Sequence, residues 1–77
     1  MHILLVEDDH QIAEGLCAGL ALANFTVDHV DTASAATHAL SVGHFDAVIL
    51  DLGLPDTDGL DWLNQLRAGS NSIPVLI

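Results

Sequence analysis

The sequence predicts an open, doubly wound parallel α/β sheet with helices on both faces. Three observations predict it. The apolar runs Ile3–Val6 and Ala47–Leu50 are continuous rather than alternating, the pattern of strands covered on both sides. Helix-period stretches lie between the strand-like runs and give the order β-α-β-α-β-α-β, which specifies a parallel sheet joined by right-handed crossovers. Both runs also end abruptly on acids, Glu7-Asp8-Asp9 after the first and Asp51 after the second.

The elements follow in order. After the first strand, Ile12, Leu16 and Leu20 recur every four residues, with Ala13, Cys17 and Ala23 beside them. This spacing makes a helix with an inward apolar stripe. Asp9 is placed to cap or precede it, with a further metal ligand as the alternative reading, and acids at its start suit the positive end of the helix dipole. Gly15 and Gly19 weaken its propensity but allow close packing on the sheet. Asn24 can stop it, since Asn tolerates the left-handed conformation. Phe25, Val27 and Val30 mark a short second strand. Asp31-Thr32 then caps a second helix near Ala33–Val42, which Gly43 closes.

The third strand is Ala47–Leu50, and the stretch from Leu52 to Gly59 is a turn-rich loop. Asp56, Thr57 and Asp58 lack the spacing and final Glu of a calcium loop, so Thr57 or Asp58 is expected to cap the third helix. Leu60, Leu63 and Leu66 are read as that helix's inner face, with Trp62 packing on it and Arg67 in the last turn before Gly69. Ser70-Asn71-Ser72 is a loop, and Pro74–Ile77 begins a fourth strand. No repeat, low-complexity segment or linker interrupts the 77 residues, so they form one domain at most.

Composition excludes some functions. Eleven acids face a single Arg and no Lys, for a formal net charge of −10. Direct nucleic-acid contact by this chain is therefore not expected, because it requires basic groups to displace counterions. A divalent cation or a basic partner surface suits the balance better. Cys17 is the only cysteine, so no intrachain disulfide forms, and it reads as a core-facing thiol. The opening apolar run is too short for a signal peptide or a membrane span. A cytoplasmic location is expected. The five His residues show no metal-ligand spacing and read as surface groups.

The acids gain meaning from the topology. In an open α/β sheet, ligands bind beyond the carboxyl ends of the strands, where the strand order reverses. If the first helix leads outward and the second crosses back, strand three lies beside strand one on its far side. The reversal then falls between the strands that end in Glu7-Asp8 and in Asp51. Three crowded carboxylates must take up protons or hold a cation. All-oxygen ligands suit Mg²⁺. Asp8 and Asp51 are expected to be direct ligands, with Glu7 acting through water and the backbone carbonyl of Gly53 as a further ligand. An ionised Asp can attack a phosphoryl centre to give an acyl phosphate, and Mg²⁺ offsets the repulsion between the two anions.

These residues resemble a response-regulator receiver domain of bacterial two-component systems. The matching stretches are Ile3-Leu4-Leu5-Val6-Glu7-Asp8-Asp9, Phe45 to Pro55 with Asp51-Leu52-Gly53-Leu54-Pro55 at its centre, Asp58-Gly59-Leu60, and Ile73 to Ile77. Chemotaxis receivers are among the proteins on which the switch-point rule rests, so topology and resemblance are not independent arguments. The resemblance implies a flavodoxin-like, CheY-like fold, here truncated to four strands and three helices with strand order 2-1-3-4. It implies that Asp51 is the phosphoacceptor, that Glu7 and Asp8 are the acidic pair, and that a sensor histidine kinase supplies phosphate from its phosphohistidine. The Asp-Leu-Gly-Leu-Pro wording looks most like the OmpR/PhoB class, whose receivers usually continue into a winged-helix DNA-binding domain that controls transcription.

On this reading residues 1–77 are a partial receiver without an output domain, a phosphoprotein of a phosphorelay rather than an enzyme. The Thr or Ser expected after strand four and the Lys expected after strand five lie beyond Ile77. Strand four becomes an open edge, and a homodimer by element swapping or by pairing of that edge is expected. Two other readings stand beside it. One is a phosphorylation-incompetent fragment acting only through dimer or partner contacts. The other is a haloacid dehalogenase-type phosphatase, which requires an Asp where this chain has Gly53.

Overall fold

The computed structural model describes all residues from Met1 to Ile77. The elements are β1 (His2–Val6), α1 (His10–Leu22), β2 (Thr26–Val30), α2 (Ala33–Val42), β3 (Ala47–Leu50), α3 (Gly59–Ala68) and β4 (Val75–Leu76). The four strands are parallel and lie in the order β2-β1-β3-β4. This is the expected architecture, with the reversal between β1 and β3.

Strand β1 buries both faces, as its continuous apolar run suggests. Strand β3 buries only Val48 and Leu50 on one face and leaves Ala47 and Ile49 half-buried on the other, against the expectation of a strand covered on both sides. Leu4, Val6, Val48 and Leu50 point one way and pack with Ala33, Ala36, Leu54 and Trp62 beneath α2 and α3. Ile3 and Leu5 are buried on the other face, where α1 lies. Leu4, Val6 and Val48 have no solvent exposure, and each contributes about 1.5–3 kcal/mol through burial. The outer strand β2 is mostly exposed, and Asp28 and His29 on it discourage pairing with another chain.

Side-chain caps set the helix starts. Asp9 Oδ1 accepts from the amides of Gln11 and Ile12, Thr32 Oγ1 from that of Ala35, and Asp58 Oδ1 from that of Leu60. Asp58, not Thr57, therefore caps α3. Past α1, Asn24 adopts the left-handed conformation at φ 68°, which reverses the chain into β2.

Three expectations need correction. In α1 the buried residue is Ala13, while Ile12 and Leu16 are 52% and 40% exposed. The small side chain lets the helix approach the sheet, and the longer ones lie along its flank, where Leu16 borders a groove with Leu5, Ile49 and Ile77. Cys17 is half-buried rather than enclosed in the core. In α3, Leu60 is 49% exposed, and Gly59 and Trp62 are the buried pair. A stripe spaced every three residues drifts about 60° around a helix at each step, so Leu60 leaves the face that Trp62, Leu63 and Leu66 share.

Candidate functional site

The register of β1 on β3 builds the site. Val6 pairs with Leu50, so the next residue on each strand, Glu7 and Asp51, emerges at the same end of the sheet. The amide of Asp51 donates to the Val6 carbonyl at 2.9 Å, and that of Glu7 donates to the Val30 carbonyl at 3.0 Å. Strand β2 thus holds the first acid and β1 aligns the second. Ligand oxygens of Glu7, Asp8 and Asp51 lie within 4.8 Å of one another.

The three acids differ in environment. Asp8 is exposed, Asp51 half-buried and Glu7 buried. Glu7 Oε2 is a buried side-chain oxygen with no hydrogen-bond donor. Its carboxyl is pushed up to about 7, first by the adjacent Asp51 carboxylate, which favours a proton between the two side chains, then by burial and by the charges of Asp51 and Asp8. The same proximity to Glu7, followed by the Gly53 amide, holds Asp51 below the ordinary carboxylate range. Within the pair, the proton is therefore held more tightly by Glu7 than by Asp51.

That arrangement can be relieved in two ways. A proton on Glu7 satisfies its orphaned oxygen, or a cation among the three acids does. The donor set is entirely carboxylate oxygen, which suits a hard divalent ion such as Mg²⁺. The residues present therefore fit the ion the sequence suggested.

Gly53 borders the cluster. Its amide donates to Asp51 Oδ1 at 3.3 Å, and a Cβ at this position would lie 3.9 Å from both Asp51 oxygens. Asp9 is turned to its capping role. Asp56 is absorbed by α2, where its two oxygens accept the amides of Ala33 and Ser34. Trp62 lies under α2, with its indole N–H donating to Thr37. A groove of about 320 Å³ beside Trp62 and Thr37 contains no acid. The one of about 210 Å³ that touches Glu7 and Asp51 is smaller, and its chemistry rather than its size marks it as the site.

Sequence reasoning missed two contributors. His29 Nε2 donates to the Glu7 carbonyl at 2.7 Å, which braces the acidic turn from β2. Asp56 ties the loop after Asp51 to α2. Neither has a sequence signal, because each contact joins residues more than twenty positions apart.

A family model described as "Response regulator receiver domain" matches residues 3–77. The chain is 44% identical over 77 residues to the transcriptional regulatory protein BasR of Escherichia coli (strain K12), covering 100% of this chain and 35% of that protein. It is 48% identical over 77 residues to the swarming motility regulation protein RssB of Serratia marcescens, with the same coverage. It therefore spans about a third of the length of these relatives. Among solved structures it is similar to the response regulator protein TrrA of Thermotoga maritima, determined with Mg(2+)-BeF and in complex with the histidine kinase ThkA. That match has 27% identity and a TM-score of 0.89, and covers 96% of this chain and 64% of TrrA.

Proposed function

The chain belongs to the response regulator receiver domain family, and from that premise we propose that it accepts a phosphoryl group on Asp51 from the phosphohistidine of a sensor histidine kinase. The observation that carries the reading is the meeting of Glu7, Asp8 and Asp51 at the carboxyl ends of the adjacent strands β1 and β3. The relatives' description as transcriptional regulators supports a parent protein of the OmpR/PhoB class that controls transcription.

The chain's own residues perform the chemistry as follows. An Asp51 oxygen attacks phosphorus. The new O–P bond forms as the N–P bond to the kinase imidazole breaks, and the electron pair returns to the imidazole nitrogen. The product is an acyl phosphate. The β1–β3 register fixes the nucleophile, while the Gly53 amide engages Asp51 Oδ1 and keeps the carboxylate ionised. Glu7, Asp8, Asp51 and the Gly53 carbonyl are the residues that would hold Mg²⁺. When bound, the ion offsets the repulsion between carboxylate and phosphoryl oxygens.

The same reading covers the partners and location. It makes the chain a phosphoacceptor of a cytoplasmic signalling pathway rather than a turnover enzyme, and residues 1–77 part of a receiver domain. No helix is long and apolar enough to cross a membrane. A net charge of −10 argues against direct DNA contact by these residues. Two copies are proposed to pair along the β4 edge. Light scattering tests this, and a monomer at high concentration counts against it.

Incubation with Mg²⁺ and a small phosphodonor, followed by intact mass measurement, tests the central claim. A phosphoryl adduct present in the wild type and absent in Asp51→Asn supports it. Mg²⁺ binding without any adduct refutes it.

A further inference from the structure

The two oxygens of Asp56 bridge the loop after β3 to the first turn of α2. Oδ1 accepts the Ala33 amide at 2.9 Å and Oδ2 the Ser34 amide at 3.0 Å. These amides have no partner within their own helix, as at any helix start. The local cap, Thr32, reaches only the Ala35 amide, and the first regular helical bond is Ala36 to the Thr32 carbonyl. Two caps from different parts of the chain thus divide the α2 terminus, and Asp56 comes from more than twenty residues away.

The consequence falls on the loop. Its near end is fixed by the Gly59 amide donating to the Leu52 carbonyl at 3.1 Å. Leu54 is packed in the core at 9% exposure. Among residues 54–57, hydrogen bonds to the rest of the fold come from Asp56 alone. Between the anchored Leu52 and Leu54 sits Gly53, which has no side chain to pack. Its single contact, 3.3 Å to Asp51 Oδ1, is long for an N–H···O bond. The position of the Gly53 peptide therefore depends on the flanking residues, Leu52 on one side and the segment held by Leu54 and Asp56 on the other. The amides of Ala33 and Ser34 hold the Asp56 carboxyl below its ordinary range, so the clamp stays charged at neutral pH.

We infer that Asp56 is a positioning residue: by clamping the loop to α2 it holds the Gly53 peptide against Asp51 and so sets the metal affinity of the acidic pocket. The inference rests on the receiver reading, in which Gly53 supplies a carbonyl ligand. Groups that orient metal ligands without touching the ion typically change affinity by about ten- to a hundredfold when removed. Loss of one loop clamp should fall at the lower end.

Calorimetric titration of Mg²⁺ into the wild type, Asp56→Ala, Asp56→Asn and Thr32→Ala tests it. Thr32→Ala removes a cap from the same helix without touching the loop, so it reports the effect of α2 instability alone. Hydrogen exchange of the Gly53 amide in metal-free protein is the second readout. Asp56→Ala should weaken Mg²⁺ binding about tenfold and speed Gly53 exchange. Asp56→Asn, which keeps one acceptor oxygen, should lie between it and the wild type and carries the comparison if the alanine variant does not fold. Thr32→Ala should leave both readouts near wild type. Unchanged affinity and exchange in both Asp56 variants, or equal losses in Thr32→Ala, overturn the inference while leaving the receiver reading intact. Absence of Mg²⁺ binding by the wild type overturns both.

Discussion

Gly59 lies against Leu52 so closely that a Cβ at position 59 would meet the Leu52 Cα at 2.7 Å and the Asp51 carbonyl oxygen at 3.0 Å. The glycine amide also donates to the Leu52 carbonyl. Close backbone approach, rather than a positive φ, is what requires glycine here, and it joins the start of α3 to the residue after Asp51. Gly59→Ala is expected to destabilise the fold by about 1–3 kcal/mol, the range for overpacking a tight contact. Because the obstruction is backbone, the Asp51 end of the loop must shift. Urea denaturation together with the amide chemical shifts of Asp51 and Leu52 checks this. Wild-type stability with unmoved shifts would contradict it.

Metal-free stability should depend on Glu7 in a definite pH window. In the unfolded chain this carboxyl titrates near 4.5, and in the fold it is raised to about 7. The folded state therefore binds the proton more tightly. The resulting stability is fully present below the unfolded value and is lost as pH rises through about 7. Its size is at most about 3 kcal/mol, and nearer 1–2 once solvent at the pocket mouth screens the pair. Asp51 is shifted the other way, so its contribution disappears only in acid, as pH falls below the ordinary value of 3.8. Denaturation midpoints between pH 4.5 and 7.5 should fall with pH, and Glu7→Gln should flatten that slope.

Mg²⁺ should reverse the trend. If the ion binds among Glu7, Asp8 and Asp51, the proton on Glu7 must leave, and affinity rises as pH increases through about 7. Calorimetry in two buffers of different ionisation enthalpy reads the released proton directly. Affinity independent of pH between 6 and 8 would show that Glu7 takes no part.

The Trp62–Thr37 hydrogen bond of 2.9 Å joins α3 to α2. Trp62→Phe keeps most of the packing and removes the donor, so it should cost about 1 kcal/mol. Trp62→Ala leaves a cavity beneath both helices and should cost about 3–5 kcal/mol. The difference between the two variants in urea separates the bond from the burial.

Much of this protein was legible along the chain. Continuous apolar runs at Ile3–Val6 and Ala47–Leu50 determined two adjacent parallel strands, the first buried on both faces and the second on one. The alternation of elements determined the doubly wound class and, with crossover handedness, the strand order later observed. The acids closing those strands marked the site, because strand ends at an order reversal must meet. Local chemistry also determined the caps at Asp9 and Thr32 and the reversal at Asn24.

The tertiary structure decided the rest. Sequence could not say that Ala13 rather than Ile12 faces the sheet, or that Trp62 displaces Leu60 from the inner face of α3. A helical stripe specifies a face only to within the rotation that packing selects. It could not rank the three acids either. Glu7 is buried with an unpaired oxygen, Asp51 is ionised beside it and Asp8 is exposed. Those differences arise from burial and from distances between residues 44 positions apart. Asp56 shows the same limit, since a carboxylate in a turn gives no local sign that its partners are two amides on another helix.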